Sequence, residues 1–259
     1  MAATANVKSL KDKVSPAEWE TRVELAAIYR LVAKHGMDDL VGTHISARVP
    51  GEPDHFLLNP YGLLFEEITA SSLIKCDMDG NILHETDFAL NAAGFTIHSA
   101  VQAGRPDVVC AAHTHTVPGM ALSMLEQGLR PLHQKAARFY NNIAYHEYEG
   151  VATNLDERER LQRDLGDKAA LVLRNHGLLV ATGSVRSAWA LLYNFEKCCE
   201  TQLLIEATGA EVIEPSAEMM ESNARVFNKM LRGDAGGNKV DAWDSALRVL
   251  AREDSSFMH

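Results

Sequence analysis

The chain has 259 residues, of which 46% are hydrophobic and 23% are charged, and its formal net charge is -10. This composition is typical of a globular protein, and the length suits one large domain or one domain with a tail. The acidic balance argues against nucleic-acid binding, and no apolar run approaches the roughly 18 residues of a membrane span.

The first part of the chain predicts a flexible lead-in, a helix and a strand. Residues 1–14 form the lead-in, and Ser15-Pro16-Ala17-Glu18 is typical of a helix N-terminus with a capping serine. The helix is expected to end at His35-Gly36. The stretch Thr43–Val49 alternates strictly between apolar and polar residues, which predicts a strand.

The remaining elements follow at short intervals. Further strands are predicted at Phe56–Leu58, near Leu73–Cys76, at Val108–Ala112, at Ala169–Leu173 and at Leu178–Ala181. Helices are expected from about residue 88 to Ala103 and from Ser184 to about Gly209. We interpret residues 15–210 as one α/β domain and residues 211–259, which are polar and then weakly helical, as a peripheral helical tail.

The four cysteines indicate a reducing compartment. They show no C-x-x-C spacing, and Cys198 and Cys199 are adjacent inside a helical pattern where a mutual disulfide would be strained. The segment from Met1 to Lys13 has no apolar core of the secretory kind. We therefore expect a cytoplasmic protein with reduced, buried thiols.

Two histidines follow the predicted Val108–Ala112 strand at a spacing suited to metal binding. Side chains two residues apart on a strand share a face, so His113 and His115 point the same way. With 11 histidines in the chain, chance alone produces such a pair in roughly every second sequence of this composition. The position at the end of a buried strand favours a metal-binding pair over polar strand-end histidines.

A third histidine lies in the turn Asn175-His176-Gly177 between two predicted strands. The backbone of such a turn requires only the glycine, so His176 can be incidental. If the turn packs beside His113, three neutral imidazoles complete a site with an open coordination position. Such a site is the catalytic kind of metal site, because structural sites are closed.

The polar face of the Thr43–Val49 strand offers a candidate anion site. His44 and Arg48, with Ser46 between them, share this face and suit a substrate carboxylate. A solvated strand face explains the same residues equally well. We treat His44 and Arg48 as candidate substrate-binding residues.

Several stretches between about Trp19 and Gly209 resemble the class II aldolase/adducin family. They are Gly42–Val49, Asn59–Gly62, Ala93–His98, Arg105–Asp107 with His113–His115, Tyr145–Gly150 and Arg174–Gly177. Their number and order over most of the chain make the match specific. Their detail is closer to the adducin-like branch than to the sugar-phosphate enzymes.

The resemblance implies a three-layer α/β/α sandwich with a largely antiparallel central sheet, as in class II aldolases. It also implies a divalent metal, most commonly Zn2+, held by the histidines that match His113, His115 and His176. Three imidazoles also suit Mn2+ or Fe2+. Sugar-phosphate aldolases of the family are typically tetramers, so we expect a homo-oligomer, most simply a homotetramer, that acts on a small molecule.

One departure from the family pattern concerns the chemistry. In the sugar-phosphate aldolases a Ser-Ser-Glu precedes the histidine pair; the glutamate is the acid/base, and the serines help to hold the phosphate. Here the matching residues are Ala92, Ala93 and Gly94. His98 lies four residues later on the same helix face and can replace the acid/base. The family keeps a histidine there too, so a structural hydrogen bond is the alternative.

Other candidates come from the same resemblance. Tyr61 and Gly62 lie in the turn where the aldolases hold phosphate and are candidate substrate-binding residues; Tyr61 either closes the pocket over a different substrate or simply packs. Glu147 and Tyr148 lie between the histidine groups and are candidate catalytic residues, with solvated surface as the alternative for Glu147.

These features together favour a metal-dependent carbon–carbon lyase of the aldolase or decarboxylase type, acting on a small oxo, hydroxy or aromatic acid. Some family members are decarboxylases, and decarboxylation needs no base to remove a carbon-bound proton. One alternative is a non-catalytic, adducin-like binding module that kept the histidines for folding stability. Another is a non-haem iron oxygenase on the same fold, since a histidine-only site with open positions suits iron and oxygen.

Overall fold

The computed structural model describes residues 7–150, 155–231 and 241–259. Within these ranges the strands are β1 (His44–Val49), β2 (Glu52–Leu58), β3 (Ile74–Asp77), β4 (Cys110–Thr114), β5 (Ile143–His146), β6 (Ala170–Leu173) and β7 (Gly177–Thr182). The α-helices are α1 (Pro16–Lys34), α2 (Ala92–Gly104), α3 (Val117–Ser123), α4 (Glu157–Leu165), α5 (Val185–Glu206), α6 (Ala217–Leu231) and α7 (Ala242–Glu253). None of these helices combines the length and the apolar character needed to cross a membrane.

A single seven-stranded sheet in the order β3-β2-β1-β4-β7-β6-β5 forms the middle layer of the described chain. Neighbouring strands are antiparallel, except that β5 pairs with β6 in parallel. Helices α1 and α5 cover one face through a core that includes Leu25, Ile45 and Phe195. Helices α2 and α4 cover the other face around Ile97 and Leu161. The predicted three-layer sandwich is therefore confirmed.

The helix boundaries follow from local chemistry. The Ser15 side chain accepts a hydrogen bond from the backbone N–H of Glu18, and Pro16 occupies the first helical position of α1. After α1 the chain turns at Gly36, whose φ of 63° lies in the left-handed region that glycine adopts without strain. Ser184 caps α5 in the same way as Ser15 caps α1. Both starts confirm the predictions.

Several elements lie outside the sequence prediction. The strand β5 and the helices α3 and α4 were not expected, because each is short. Helix α6 is longer and amphipathic, but it lies in the part of the C-terminal segment that was interpreted as polar. Helix α2 begins at Ala92 instead of about residue 88. The reason is Asn91, whose side chain accepts from the Gly94 N–H and caps the helix there.

The two ends of the domain pack more closely than we predicted. In the described part of the lead-in, Leu10 is buried and its N–H donates to Ser71 Oγ; residues 1–6 lie outside the described ranges. The C-terminal segment was predicted to be peripheral. Instead, Trp243 and Leu250 belong to the main core, because the apolar stripe of α7 faces α1 and α5, and Phe257, in the turn after α7, packs in the same core. The peripheral interpretation is wrong for this segment.

Candidate metal centre

Three histidine side chains converge where β4 ends beside the β6–β7 turn. Nε2 of His115 lies 2.8 Å from Nε2 of His113 and 2.9 Å from Nε2 of His176. Candidate ligand atoms of all three residues lie within 4.8 Å of one another. The turn that carries His176 is tight, since a Cβ on Gly177 would lie 2.4 Å from the Thr114 carbonyl oxygen. The structure therefore brings the predicted trio together.

In two of these rings, the contact that Nδ1 makes with a neighbouring oxygen shows that this nitrogen carries a proton. Nδ1 of His113 lies 2.8 Å from the Leu178 carbonyl oxygen, and Nδ1 of His115 lies 3.1 Å from Asp39 Oδ2. Both oxygens can only accept, so Nδ1 of each ring carries a proton, and Nε2 is the nitrogen that can offer a lone pair to a metal. A cation between Nε2 of His113 and Nε2 of His115 would be coordinated by both nitrogens.

The protonation states suit a metal as well. Burial lowers the pKa of His113 well below its usual value, and the neighbouring histidines lower it further. Burial lowers the pKa of His176 to about 4, with smaller contributions from His115 and His146. Both rings are therefore neutral near pH 7, as metal ligands must be. His113 is buried, whereas His115 and His176 are partly exposed, so the trio faces an accessible side. This donor set fits a divalent metal with an open position.

Asp39 is a functional candidate that the sequence analysis missed. It lies in the loop after α1, where no periodicity marks it, and it holds His115 through Nδ1. The signal available in the sequence was the glycine three residues later, Gly42. In the structure, a Cβ at residue 42 would lie 3.1 Å from Asp39 Oδ2 and would crowd the carboxylate. A glycine near an acidic residue can indicate that the carboxylate packs closely against the backbone. Only the structure shows which other residue the carboxylate contacts.

His44 lies next to the trio, in the space where a side chain of residue 94 would begin. It pairs in register with His113 across β1 and β4, and the two ring centroids are 5.0 Å apart. A Cβ on Gly94 would lie 2.7 Å from His44 Cδ2. Residue 94 therefore cannot carry a glutamate while His44 keeps this position. His44 remains a candidate substrate-binding residue.

Arg48 does not point toward the metal centre, so its predicted role in substrate binding is wrong. Its guanidinium donates to four backbone carbonyls, those of Pro53, Gln102, Arg105 and Val108. Alternation along β1 correctly placed Arg48 on the face of His44. The side chain is long enough to reach the end of α2, where it stabilises the contact between β1 and α2.

His98 lies behind His44 and not in the cleft. It is fully buried, with Nε2 at 2.9 Å from His44 Nδ1 and Nδ1 at 2.6 Å from Ser46 Oγ. Any part that His98 plays in catalysis must therefore act through His44. The solvated-face alternative for β1 is also wrong, because His44 and Ser46 are buried under α2.

The other candidates lie at the accessible surface. Glu147 and Tyr148 line a small cleft together with His176, and Tyr148 is 56% exposed. Tyr61 is equally exposed in the turn after β2, where Gly62 has a φ of 96°. The roles predicted for these four residues remain predictions.

Comparison with known sequences places this geometry in context. The family model of the Class II Aldolase and Adducin N-terminal domain matches residues 23–203. A Caulobacter vibrioides protein named for the class 2 aldolases is 47% identical over 249 residues, which is 96% of each chain. Alpha-adducin of Mus musculus is 43% identical over 185 residues, which is 70% of this chain and 25% of adducin.

Solved structures agree with these sequence matches. An aldolase II superfamily protein from Pseudomonas syringae superposes with a TM-score of 0.89 at 43% identity, covering 97% of this chain and 100% of that one. An L-fuculose 1-phosphate aldolase from Glaciozyma antarctica gives a TM-score of 0.79 at 27% identity, covering 93% and 92%.

Proposed function

This chain belongs to the class II aldolase and adducin family, and we propose that it is a metal-dependent carbon–carbon lyase acting on a small oxo, hydroxy or aromatic acid. The observation that carries the proposal is the convergence of Nε2 of His113, His115 and His176, while Nδ1 of His113 and of His115 is held by an acceptor oxygen. A structural role in folding does not require such a trio at a partly exposed cleft.

In this proposal, separate residues would bind the metal, orient its ligands and contact the substrate. His113, His115 and His176 would hold the metal, which would supply a Lewis acid for the substrate's oxygens. Asp39 orients His115, and the Leu178 carbonyl orients His113. Glu147 and Tyr148, which line the cleft beside His176, would contact the substrate.

Three finer statements belong to the same proposal. We propose zinc as the metal, because a trio of neutral imidazoles with an open position is a common catalytic zinc site. We propose a homotetramer, as in the family's sugar-phosphate enzymes, and a cytoplasmic location. In support of the location, the four cysteines are all free and buried.

The structure also bears on the substrate. Because His44 excludes a side chain at residue 94, the glutamate of the sugar-phosphate aldolases has no place here. We therefore predict absent or feeble cleavage of L-fuculose 1-phosphate, the substrate named for the Glaciozyma antarctica relative. A product assay with equal concentrations of the two proteins tests this. Cleavage at a comparable rate would contradict it.

A substrate panel tests the proposed function. Protein purified without chelator is incubated with 2-oxo, 3-oxo, 3-hydroxy and aromatic acids, and CO2 and carbonyl products are measured. At least one acid should turn over, and turnover should stop after metal removal and return when metal is added back. His113→Ala should abolish turnover. The control His55→Ala, which changes a partly exposed histidine paired with Glu52, should leave turnover unchanged. Turnover that survives metal removal would exclude this mechanism.

The likeness to alpha-adducin favours one second candidate, a binding module that does not catalyse a reaction. In that case metal removal should lower the melting temperature, and no member of the acid panel should turn over. The lyase proposal predicts loss of turnover with little loss of stability, because β4, β6 and β7 are held by the sheet and not by the histidines.

A further inference from the structure

A buried row of polar side chains runs from the back of the domain to His44. Gln102 Nε2 lies 3.2 Å from Ser46 Oγ, and Ser46 Oγ lies 2.6 Å from His98 Nδ1. His98 Nε2 then lies 2.9 Å from His44 Nδ1. Because His44 is adjacent to His113, the row links the interior of α2 to the metal centre.

One arrangement of protons gives each contact of this row one donor and one acceptor, and within the described part of the chain it leaves only the buried Gln102 Oε1 of the row's enclosed atoms without a partner. Gln102 Nε2 also lies 3.4 Å from the Val109 carbonyl oxygen, which can only accept, so the amide NH2 group faces that side. Ser46 Oγ consequently accepts from Gln102, and its own proton is donated to His98 Nδ1. His98 must then donate from Nε2 to His44 Nδ1, which leaves the proton of His44 on Nε2.

Burial keeps the middle of this row neutral. His98 is fully buried, and desolvation lowers its pKa to about 3. A neutral ring carries one proton, so His98 cannot donate from both nitrogens at once. Each group in the row therefore donates a hydrogen bond to the next, from Gln102 through Ser46 and His98 to His44.

The end of the row is open. Within the described part of the chain, Nε2 of His44 has no hydrogen-bond partner and is not among the fully enclosed unpaired atoms. It lies 3.3 Å from where a Cβ of Gly94 would be. This N–H is therefore placed where the family's glutamate side chain would start, beside the three metal-site histidines.

From this geometry we propose that His44 is an N–H donor of fixed orientation that binds an anionic oxygen of a substrate held at the metal centre, with Ser46, His98 and Gln102 as positioning residues. This inference rests on the proposed lyase function. A donor that is already oriented needs no rearrangement when negative charge develops on the substrate oxygen. The substrate class that fits is an acid or a carbonyl compound presenting an oxygen anion, and not one that needs a carboxylate base from residue 94.

The test uses the full-length protein loaded with Co2+ and titrated with acetohydroxamate, a small chelating anion, by visible absorption. His44→Phe keeps a ring of similar size and removes the N–H, so acetohydroxamate should bind about tenfold more weakly or worse, while cobalt stays near one ion per chain. The matched control is Thr43→Val, which removes a buried hydroxyl that has no partner in the described chain and should bind the probe as the wild type does.

The positioning residues are tested by a signal that packing alone would not change. Histidine ring 15N NMR of the wild type should show His44 and His98 protonated on Nε2 only. In Ser46→Ala, a small deletion expected to fold, His98 should populate both tautomers, and acetohydroxamate binding should weaken with cobalt content unchanged.

Three outcomes decide between the ideas. Weaker probe binding in His44→Phe together with the Nε2 tautomers supports the inference. Unchanged probe binding in a cobalt-loaded His44→Phe, or His44 protonated on Nδ1 in the wild type, overturns the inference and leaves the lyase proposal standing. A wild type that holds cobalt and does not bind the probe lacks an open position and contradicts both.

Discussion

At the residue scale, Gly94 and His44 compete for one volume beside the metal centre. Gly94 lies in the first turn of α2, where alanine would by itself be favoured by about 1 kcal/mol. The Cβ would meet the His44 ring at 2.7 Å, so we predict that Gly94→Ala destabilises the protein by about 1–3 kcal/mol. In a His44→Ala background the same change should be neutral or stabilising. Urea unfolding of the wild type, the two single variants and the double variant measures the coupling between residues 44 and 94. Additive changes in the free energy of unfolding would contradict the proposed competition.

A second prediction concerns Asp39, which holds the Nδ1 proton of His115. Removing an outer partner of a metal-bound histidine typically costs about 10–100-fold in metal affinity. Asp39→Ala should therefore weaken zinc binding by this factor in a competition titration with a chelator. The neighbouring Asp38→Ala is the control and should bind zinc normally. Equal affinities in the two variants would show that Asp39 does not support the site.

The pKa of His98 predicts a pH dependence of stability. Its folded-state pKa of about 3 lies below the ordinary value of 6.5. Between these values the unfolded chain binds one more proton than the native state, so stability is fully present above pH 6.5 and is lost as the pH falls toward 3. The slope from this group is about 1.4 kcal/mol per pH unit. His98→Asn should have a slope smaller by about that amount in urea unfolding between about pH 4 and 5.5, well between the two pKa values; an unchanged slope would contradict the assignment.

These residues show how far sequence reasoning reaches at this scale. The spacing of His113 and His115 on a strand predicted a shared face, because periodicity is a local property. Placing His176 beside them depended on the family resemblance, since a turn carries no signal of its neighbours. Alternation gave the face of Arg48 but not its partners, and Asp39 was missed because its contact with His115 spans a long stretch of chain.

At the scale of elements, Arg48 connects β1 to the end of α2. Its guanidinium donates to several backbone carbonyls at once, which the single ammonium of lysine cannot reproduce. We predict that Arg48→Lys lowers the free energy of unfolding by about 1–3 kcal/mol. Acetohydroxamate binding by the cobalt form should be unchanged, because Arg48 does not face the cleft. A variant with normal stability and weakened probe binding would restore Arg48 as a substrate-binding residue.

The elements that the sequence predicted well are those with strong local signals. Capping serines set the starts of α1 and α5, and the apolar run before His113 predicted β4. The strand β5 has only four residues, and its parallel pairing with β6 is a contact made by the tertiary fold. Short elements of this kind acquire their stability from neighbours, so their own residues do not specify them.

At the scale of the whole molecule, the C-terminal segment completes the main core. Trp243 is 2% exposed and packs in the same cluster as α1 and α5, while Arg186 and Asp244 pair across α5 and α7. We predict that Trp243→Ala destabilises the protein by about 3–5 kcal/mol, the usual cost of removing a buried aromatic side chain. Met258→Ala, at a residue 39% exposed, should have little effect. Similar melting temperatures for the two variants would support a peripheral segment after all.

The central claim is that His113, His115 and His176 hold one divalent metal ion, and metal analysis of the purified protein tests it most directly. Protein prepared without chelator should contain close to one ion per chain by elemental analysis. The content should fall sharply in His113→Ala and His115→Ala, and it should stay near one in the surface control His55→Ala. Full metal occupancy in the His113→Ala/His115→Ala double variant would contradict the account.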